Sequence, residues 1–526
     1  MTITHIPTIL LNLSQDVNIF RSVLLALSGI LIIWNFLNSH NVYRKRPWNM
    51  PITGPTLRYG KWLSTINFLL RGSRTVLESY QEHSDTPFAV PSVTEYQVLV
   101  SKREQIEEFS KCSTSVLSFE AAMKDRLNHK QIMLGFEHND VDPHNSIPIH
   151  VLKVLLRKNL DTLSPVIQQG VKESLDCHLR NSPQHEGTWT VSIFSLAKAI
   201  AGRVNNQILF GDELARNQDF EKASLRYGWD GAITMEICRL LPRFIMGIVG
   251  TFLMARSGAM KAVGWHITKL VDERLAAHAN GTGQKFIDCT QFVIKASRTE
   301  RQRSPARLVQ QMVALQFASA HQLPMALAWA ITMLCTHTEY VELLREEIHA
   351  AEQQAESYHT KDLRLLDSFL RESSRLNPLD SLSIQRKALK PFTFSNGSHV
   401  PEGNLVAVPQ QAIMCDPKNY DDADAFDPLR FYAPRESAIP TARYTDVNWK
   451  YPFWGSPSHP CPGRWYAADL MKHVVVHLLK NYDFELVEPE APKALEWTTA
   501  IVPSFTTRIK LRVREDPPHL PRASDV

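Results

Sequence analysis

Residues 454–464 form a loop rich in proline and glycine that places one cysteine, Cys461, just before a predicted helix. Apolar residues recur at three- and four-residue steps from Trp465 to Leu478, which is typical of an amphipathic helix. Oriented N–H groups and the positive end of the helix dipole favour the thiolate form of such a cysteine. One thiolate cannot build a zinc site, which needs about four ligands, but it can hold haem iron, because the porphyrin supplies the equatorial nitrogens. The alternative is a buried structural cysteine beside a turn.

A second motif lies in the segment 366–378, where Glu372 and Arg375 are three residues apart on one predicted helix face. On a protein surface such a pair contributes little stability. Here apolar neighbours, including Phe369 and Leu370, surround the pair, and an unpaired charge among them would be costly. The pattern therefore predicts a buried ion pair.

A long helix is predicted to begin at Ser304, a favoured N-cap residue, with Pro305 at the first helical position. Its pattern continues to about Thr336, and a helix of roughly 30 residues spans about 45 Å. Pro324 lies inside this helix and cannot donate a hydrogen bond to the carbonyl of Ala320. A kink and a free carbonyl are therefore expected at this point.

The loop around Cys461 resembles the haem-binding loop of the cytochrome P450 monooxygenases, and the run from Cys461 to Ala468 resembles their fungal, membrane-bound branch. Two positions depart from the family pattern. Trp454 stands where the family usually has phenylalanine, and Pro457 stands where it usually has glycine. The second change matters more, because glycine gives this loop its unusual backbone angles.

The resemblance covers most of the chain, from the hinge near residue 50 to the last predicted strand. It implies the cytochrome P450 fold, mainly α with a small β region. Strands are predicted within residues 89–100, 392–408 and 507–513. Helices are predicted over residues 192–209, 233–255 and 262–278.

The resemblance also implies a cofactor, haem b, with Cys461 as the axial ligand of the iron. His459, two residues before the cysteine, and Arg386 match positions that bind the haem propionates in the family. A basic residue on the helix that begins near residue 150 has the same role in the family. Three residues of this chain are equally good candidates for it: Lys153, Arg157 and Lys158.

A structural triad is implied by the same resemblance. In the family, the glutamate and arginine that match Glu372 and Arg375 lock to an arginine on a later loop. Residues 426–431 match that loop, and Arg430 is its third member. We expect the triad to hold the fold together and to take no part in chemistry.

The long helix departs from the family where oxygen is bound. The family usually has an acid followed by a threonine that relay protons, whereas here His321 and Gln322 occupy these positions. One hypothesis makes both residues catalytic: a water on the free carbonyl of Ala320, together with Gln322 and with His321 as a further participant, replaces the threonine hydroxyl. A second is that Gln322 shapes the pocket or contacts the substrate. A third is that the reaction needs little proton delivery.

An apolar run, residues 20–37, carries no charge after Arg21, and roughly 17–25 residues suffice to cross a bilayer. Basic residues 44–46 follow, so the positive-inside rule places the rest of the chain in the cytosol. A cleavable signal peptide is the competing interpretation. The sequence thus predicts a single-pass protein of the endoplasmic reticulum membrane. Its parts are a lumenal segment 1–19, an anchor 20–37, a basic and proline-rich hinge 38–60, a catalytic domain 61–515 and a flexible tail 516–526.

The composition of the chain is that of a large globular protein. Of its 526 residues 44% are hydrophobic and 21% charged, which permits a substantial core. The net charge of +4, with no basic stripe interleaved with aromatic residues, gives no indication of a nucleic-acid partner. Seven scattered cysteines without a paired motif fit a reducing compartment.

The implied activity is that of an NADPH- and O₂-dependent monooxygenase acting on a hydrophobic small molecule. The fungal character of the motifs suggests a tailoring step for a terpenoid, meroterpenoid or indole-terpenoid. The implied partners are NADPH–cytochrome P450 reductase and membrane lipid, with cytochrome b5 as a further candidate electron donor. Two other classes stay open. One is a haem-thiolate enzyme of non-oxygenating rearrangement, dehydration or peroxide-driven oxidation, and the other is a non-catalytic haem sensor.

Overall fold

The computed structural model describes residues 29, 33, 42–54, 61–92, 94–136, 146–241, 243–282, 285–354, 360–433 and 441–515. Within this part the protein is mainly helical with a small β region, as the sequence predicts. The predicted anchor, residues 20–37, lies outside it apart from Gly29 and Ile33, as do the segments 1–19 and 516–526. Among the described residues, no helix is long and apolar enough to cross a membrane.

Helices dominate from residue 147 to residue 376 and return ahead of the last strands. The α-helices of the described part are α1 (Lys61–His83), α2 (Arg103–Lys111), α3 (Phe119–Leu127), α4 (His129–Ile132), α5 (Ile147–His150), α6 (Leu160–Arg180), α7 (Ile193–Phe210), α8 (Asp212–Ala215), α9 (Gln218–Leu240), α10 (Arg243–Ala255), α11 (Ala259–Ala279), α12 (Cys289–Ala296), α13 (Glu300–Arg303), α14 (Pro305–Ala320), α15 (Gln322–Thr336), α16 (Val341–Gln354), α17 (Arg364–Leu376), α18 (Gln410–Met414) and α19 (Arg464–Asn481). A π-helical segment, Val151–Leu156, follows α5, and single 3₁₀ turns cover Thr338–Tyr340, Thr360–Asp362 and Pro452–Trp454.

The strands form two sheets and two hairpins. They are β1 (Phe88–Pro91), β2 (Tyr96–Leu99), β3 (Leu117–Ser118), β4 (Gln184–His185), β5 (Thr188–Ser192), β6 (Ser383–Ala388), β7 (Phe392–Thr393), β8 (His399–Val400), β9 (Leu405–Val408), β10 (Tyr482–Leu486), β11 (Ala494–Trp497), β12 (Ala500–Pro503) and β13 (Arg508–Val513). One sheet has the order β1-β2-β9-β6-β3, in which only β2 and β9 pair in parallel, and the other has the order β10-β13-β5-β4. The hairpins are β7–β8 and β11–β12.

Two hydrophobic cores follow this division. The larger core lies among the helices, and Leu327 and Ala328 of α15 are fully buried in it together with Phe369 of α17. The smaller core packs α1 and α2 against the five-stranded sheet, and contains Phe109 and Val406. The long helix crosses the larger core and so runs through the middle of the helical region.

The long helix is divided where Pro324 predicts a kink. α14 ends at Ala320 and α15 begins at Gln322, while His321 between them has the non-helical angles φ −122° and ψ −40°. Pro324 therefore lies in the first turn of α15, where a backbone N–H has no partner within the helix and its absence costs little. The predicted kink is confirmed.

The structure has two helices where the sequence predicts one. Residues 233–255 are expected to form a single helix, but α9 starts earlier, at Gln218, and α10 begins only at Arg243. Leu241 between them is extended, with φ −92° and ψ 149°. It precedes Pro242, and a residue before proline is disfavoured in the helical region because the proline ring clashes with it.

Candidate active site

The cysteine loop depends on one glycine. Gly455 has φ +97°, and a Cβ atom there would lie 2.8 Å from the carbonyl oxygen of His459. The loop closes on itself, because Gly455 bridges to Pro460 and the N–H of Cys461 donates to the carbonyl of Trp454 at 2.6 Å. Only a residue without a side chain fits there, so the loop holds Cys461 in one place.

Pro457, the departure from the family pattern, fits the observed loop. Residues 456–459 form a turn in which the N–H of His459 donates to the carbonyl of Ser456 at 3.1 Å. Pro457 is the second residue of that turn, where the fixed φ of proline is favoured. Its side chain is exposed, so the ring displaces nothing.

Cys461 lies just ahead of α19, as the sequence predicts. The backbone N–H groups of Gly463 and Arg464 and the Arg464 guanidinium lower the pKa of the thiol, as expected at a helix start. Burial acts in the opposite direction and is the larger effect, so the pKa of Cys461 is raised overall. The helix start thus favours the thiolate as expected, but burial outweighs it, and a metal ion that binds Cys461 would displace the proton.

Arg386 is a buried cation. It lies in β6, is only 6% exposed, and its Nη1 donates to the adjacent backbone carbonyl of Gln385 at 2.9 Å. No carboxylate pairs with it within the part of the chain that the structure describes, although Glu120 is near enough to oppose the effect of burial, which lowers the pKa of Arg386. A buried charge is costly unless it is paired, so an anion bound beside Arg386 would stabilise it.

His459 lies near Arg386. Burial lowers the pKa of His459, and the nearby charges of Arg386 and Lys153 lower it further. Its Nδ1 lies 3.1 Å from Ser458 Oγ. Arg386 of β6 and Lys153 of the π-helical segment thus both lie near His459 of the cysteine loop, and the two carboxylates of haem are groups that such basic residues fit.

The three candidate basic residues near residue 155 differ in their surroundings. Lys153 is exposed and lies near His459. Arg157 instead stacks on the ring of Trp465 at 3.9 Å, with Arg464 at 3.5 Å from the same ring. Of these two, Lys153 is the one whose charge acts on His459. Which of the three residues binds a propionate stays a prediction.

Glu372, Arg375 and Arg430 lie together. Glu372 and Arg375 are fully buried and form two hydrogen bonds, Nε to Oε2 at 2.7 Å and Nη2 to Oε1 at 2.9 Å. Nε of Arg430 donates to Glu372 Oε1 at 3.1 Å. Arg375 also donates to three backbone carbonyls, those of Met414, Ala423 and Ala425. The cluster ties α17 to the loop around residues 414–430, as expected of a structural triad.

A second buried charge network on α17 was not predicted from the sequence. Arg371 donates to the carbonyls of Arg443 and Asp446 at 2.9 and 2.8 Å and lies 3.8 Å from the ring of Tyr451. Asp367, one turn earlier, pairs with Lys472 of α19 at 2.8 Å. The signal that could have identified it is the four-residue spacing of Asp367 and Arg371, which places both on one face of the helix.

Trp454 connects this network to the cysteine loop. Its Nε1 donates to the carbonyl of Tyr444 at 2.8 Å, and the Tyr444 hydroxyl lies 2.9 Å from Ser374 Oγ of α17. Phenylalanine, the family residue, lacks this donor. The tryptophan thus links the loop to α17.

His321 and Gln322 lie in different environments at the helix break. Burial lowers the pKa of His321 to about 4, and the nearby charge of Arg126 acts in the same direction. His321 is therefore neutral at pH 7. Gln322 is exposed, as is Ala318 one turn earlier, and its side chain makes no hydrogen bond within the described residues. The structure thus leaves the Gln322 amide available to a bound molecule, and the proton-relay hypothesis stays a prediction.

Comparison with known proteins agrees with this geometry. The family model described as cytochrome P450 matches residues 61–511. The cytochrome P450 monooxygenase olcJ of Penicillium canescens is 28% identical over 95% of this chain and 94% of its own length. The cytochrome P450 monooxygenase ltmQ of Epichloe festucae var. lolii is 26% identical over 88% of this chain and 91% of its own length. Among solved structures, the retinoic-acid-bound cyanobacterial CYP120A1 superposes with a TM-score of 0.67 at 18% identity, covering 89% of this chain and 98% of that one.

Proposed function

The chain belongs to the cytochrome P450 family, and we propose that it inserts oxygen from O₂ into a hydrophobic small molecule in a fungal biosynthetic pathway. The substrate class that we propose is a terpenoid, meroterpenoid or indole-terpenoid, modified in a tailoring step. The observation that carries the proposal is the cysteine loop, in which Gly455 fixes the position of Cys461 and His459 lies near Arg386, a buried cation that has no carboxylate partner among the described residues. Relatives that match over most of their length are named as fungal monooxygenases.

The protein's part in this reaction is to hold the cofactor and the substrate. Cys461 would ligate the iron, and Arg386 and His459 would bind the propionates, with Lys153 beside them. When bound, the thiolate-ligated haem supplies the reductive activation of dioxygen. The division of the long helix at His321 supports a role for this region in proton delivery, which the proposal assigns to Gln322 and a water.

The proposed monooxygenase reaction takes its electrons from a redox partner. We propose that NADPH–cytochrome P450 reductase supplies them, with cytochrome b5 as an additional donor. Two exposed basic side chains, Lys153 and Arg157, lie beside the cysteine loop, Lys153 near His459 and Arg157 on the ring of Trp465. They support an electrostatic contact with an acidic partner.

A second part of the proposal places the protein on the endoplasmic reticulum membrane, with its catalytic domain in the cytosol. α10 supports this part, because Phe244, Ile248 and Phe252 are 75%, 72% and 68% exposed at four-residue steps. A helix that exposes an apolar stripe of this kind is suited to lie in a lipid surface. Residues 20–37 would then act as the anchor and α10 as a second contact.

The test of this function is isotopic. The chain is co-expressed with a reductase in a host supplied with intermediates of the neighbouring pathway, under ¹⁸O₂, and products are identified by mass spectrometry. The proposal expects a product that contains labelled oxygen and is absent with Cys461→Ala. A new product without the label, formed only when Cys461 is present, would replace the proposal by a non-oxygenating haem-thiolate activity.

That alternative has two observations in its favour. The hydroxyl that relays protons in the family is replaced by the Gln322 amide, and the neighbouring His321 is neutral at pH 7. Both features would suit a reaction that needs little proton delivery. The labelling experiment separates the two functions directly.

A further inference from the structure

A cavity of about 660 Å³ lies among α3, the junction of α9 and α10, the edge of β1–β2 and the tip of the β11–β12 hairpin. This volume suits a ligand of terpenoid size, since small-molecule sites usually measure about 300–1,000 Å³. The cavity reaches Phe244 of the exposed apolar stripe on α10. Its wall is unusually charged for such a site, with five basic and three acidic side chains.

Two of the basic side chains are already paired. Nη2 of Arg126 donates to Asp380 Oδ2 at 2.5 Å. Lys387 pairs with Glu95 and lies 3.2 Å from Asp125 Oδ2. These ion pairs satisfy their own charges and form part of the wall.

Arg239, at the end of α9, is different. Its Nη1 donates to Thr498 Oγ1 at 3.3 Å, and its nearest carboxylate oxygen, Glu236 Oε2, lies at 3.7 Å, beyond hydrogen-bonding distance. That oxygen is itself buried and has no hydrogen-bond partner among the described residues. A guanidinium has five N–H donors, and within the described residues no other acceptor binds those of Arg239, whose side chain is 20% exposed. Burial, the largest effect, and the charge of Arg126 lower the pKa of Arg239, against the opposing charges of Glu236, Asp380 and Glu95. The N–H groups that no acceptor binds can therefore donate a hydrogen bond to a ligand.

Thr498 is held in a strained conformation that aims it at Arg239. Its φ is +53°, which is rare for a β-branched residue. Its carbonyl accepts from the N–H of Ser73 at 2.8 Å, and a Cβ atom at Gly72 would lie only 2.3 Å from that oxygen. The hairpin tip is therefore locked onto α1, and strain that is held in this way is typical of ligand sites.

We propose that Arg239, positioned by Thr498, binds a hydrogen-bond-accepting oxygen, a carboxylate or a carbonyl, on an otherwise apolar substrate. A carboxylate is the stronger ligand, since both partners are then charged and two parallel hydrogen bonds can form. Arg126 lies in the same wall and also near His321. A substrate held at Arg239 can therefore extend its apolar part along the wall toward the helix break. This inference rests on the proposed function and names the chemical class of its substrate.

The test uses three probes with one carbon skeleton: dehydroabietic acid, its methyl ester and the hydrocarbon dehydroabietane. Dissociation constants are measured from the change in haem absorption of the full-length, haem-loaded protein. Arg239→Leu should weaken binding of the acid by about tenfold or more, as expected for a charge-assisted hydrogen bond. The same change should weaken binding of the ester less than binding of the acid, and it should leave binding of the hydrocarbon unchanged. Arg239→Lys should retain part of the affinity for the acid, and Thr498→Val should lose part of it.

Lys45→Leu is the matched control, because it removes a positive charge from the same cavity without touching Arg239. It should leave the preference for the acid over the hydrocarbon unchanged. The inference is overturned if the wild-type protein does not bind the acid, or if Arg239→Leu keeps the wild-type preference. The spectrum of the carbon monoxide complex is recorded for each variant. If it shows thiolate ligation while the preference for the acid is absent, only the inference fails; if thiolate ligation is absent in the wild-type protein, the proposed function fails.

Discussion

Gln322 is the residue whose chemistry departs furthest from the family. We expect Gln322→Ala to release peroxide at the expense of product, because the amide and its water no longer deliver protons, and Gln322→Thr to keep oxygen and electron use coupled. Product formed per NADPH consumed is the measurement. An Ala variant that stays fully coupled and only changes the position of oxidation would make Gln322 a substrate contact.

His321 should make the protein sensitive to acid. Its pKa is about 4 in the folded protein, against an ordinary value of 6.5, because burial penalises the imidazolium. The unfolded chain therefore binds a proton first, and stability present at pH 7 is lost as the pH falls from about 6.5 toward 4. This group alone should cost about 2 kcal/mol between pH 7 and pH 5.

Urea unfolding of the wild-type protein and of His321→Phe at both pH values measures this loss. The variant should lose less stability on acidification than the wild type, since phenylalanine does not titrate. Equal losses in the two proteins would mean that His321 does not carry the effect.

At this scale the sequence predicts individual site residues well where a motif fixes them. Glu372 and Arg375 are three residues apart on one helix, and Cys461 has a fixed place just before another. The structure places all three where these motifs suggest. The spacing of Asp367 and Arg371 indicates a shared helix face, but their partners could not be predicted. Those of Arg371 are backbone carbonyls, and Lys472, the partner of Asp367, lies about 100 residues away. Arg239 and Thr498 meet only through tertiary packing, and neither belongs to a motif.

At the scale of elements, the triad joins α17 to a loop about 50 residues away. Glu372 receives hydrogen bonds from Arg375, Arg430 and the N–H of Asp427 with no exposure to solvent. Glu372→Ala would leave two guanidinium groups without their carboxylate, at a cost of roughly 3–5 kcal/mol. We expect little haem-loaded protein on purification, measured as the ratio of haem absorbance to protein absorbance.

Glu342→Ala is the control for this change. Glu342 also pairs with an arginine, Arg345, at 2.6 Å, but it is 70% exposed, and an exposed pair contributes about 0–1 kcal/mol. Its haem content should match the wild type. A well-folded, haem-loaded Glu372→Ala variant with normal turnover would refute the structural role.

The boundaries of elements show what local sequence can and cannot predict. The break in the long helix follows from Pro324 alone, because the missing N–H is a local property. Leu241 is also followed by a proline, which favours a break at that point. The apolar periodicity of residues 233–255 nevertheless predicts one continuous helix, so periodicity alone missed the break. The register and order of the five-stranded sheet depend on strands about 300 residues apart, and no local pattern contains them.

For the whole molecule, membrane association is the property to test. Deleting residues 1–39 should weaken binding to microsomes without abolishing haem binding. Replacing Phe244, Ile248 and Phe252 with serine in the truncated protein should release more of it from the microsomes. Each apolar side chain buried in lipid contributes on the order of 1.5–3 kcal/mol to the free energy of binding. Sedimentation with microsomes measures both effects.

Leu343→Ser serves as the control, because Leu343 is also an exposed apolar residue but lies on α16. It should sediment as the truncated protein does. Equal release by the control and by the triple change would exclude α10 as the lipid contact. Protection of the catalytic domain from protease in intact microsomes would reverse the proposed topology.

The most direct test of the account is the absorption spectrum of the reduced protein with carbon monoxide. Thiolate ligation by Cys461 predicts a long-wavelength band in the wild-type protein that is absent from Cys461→Ala and present in the control Cys112→Ala, which changes a half-buried cysteine outside the loop. A Cys461→Ala protein that keeps the long-wavelength band would contradict the assignment of the iron ligand and the function built on it.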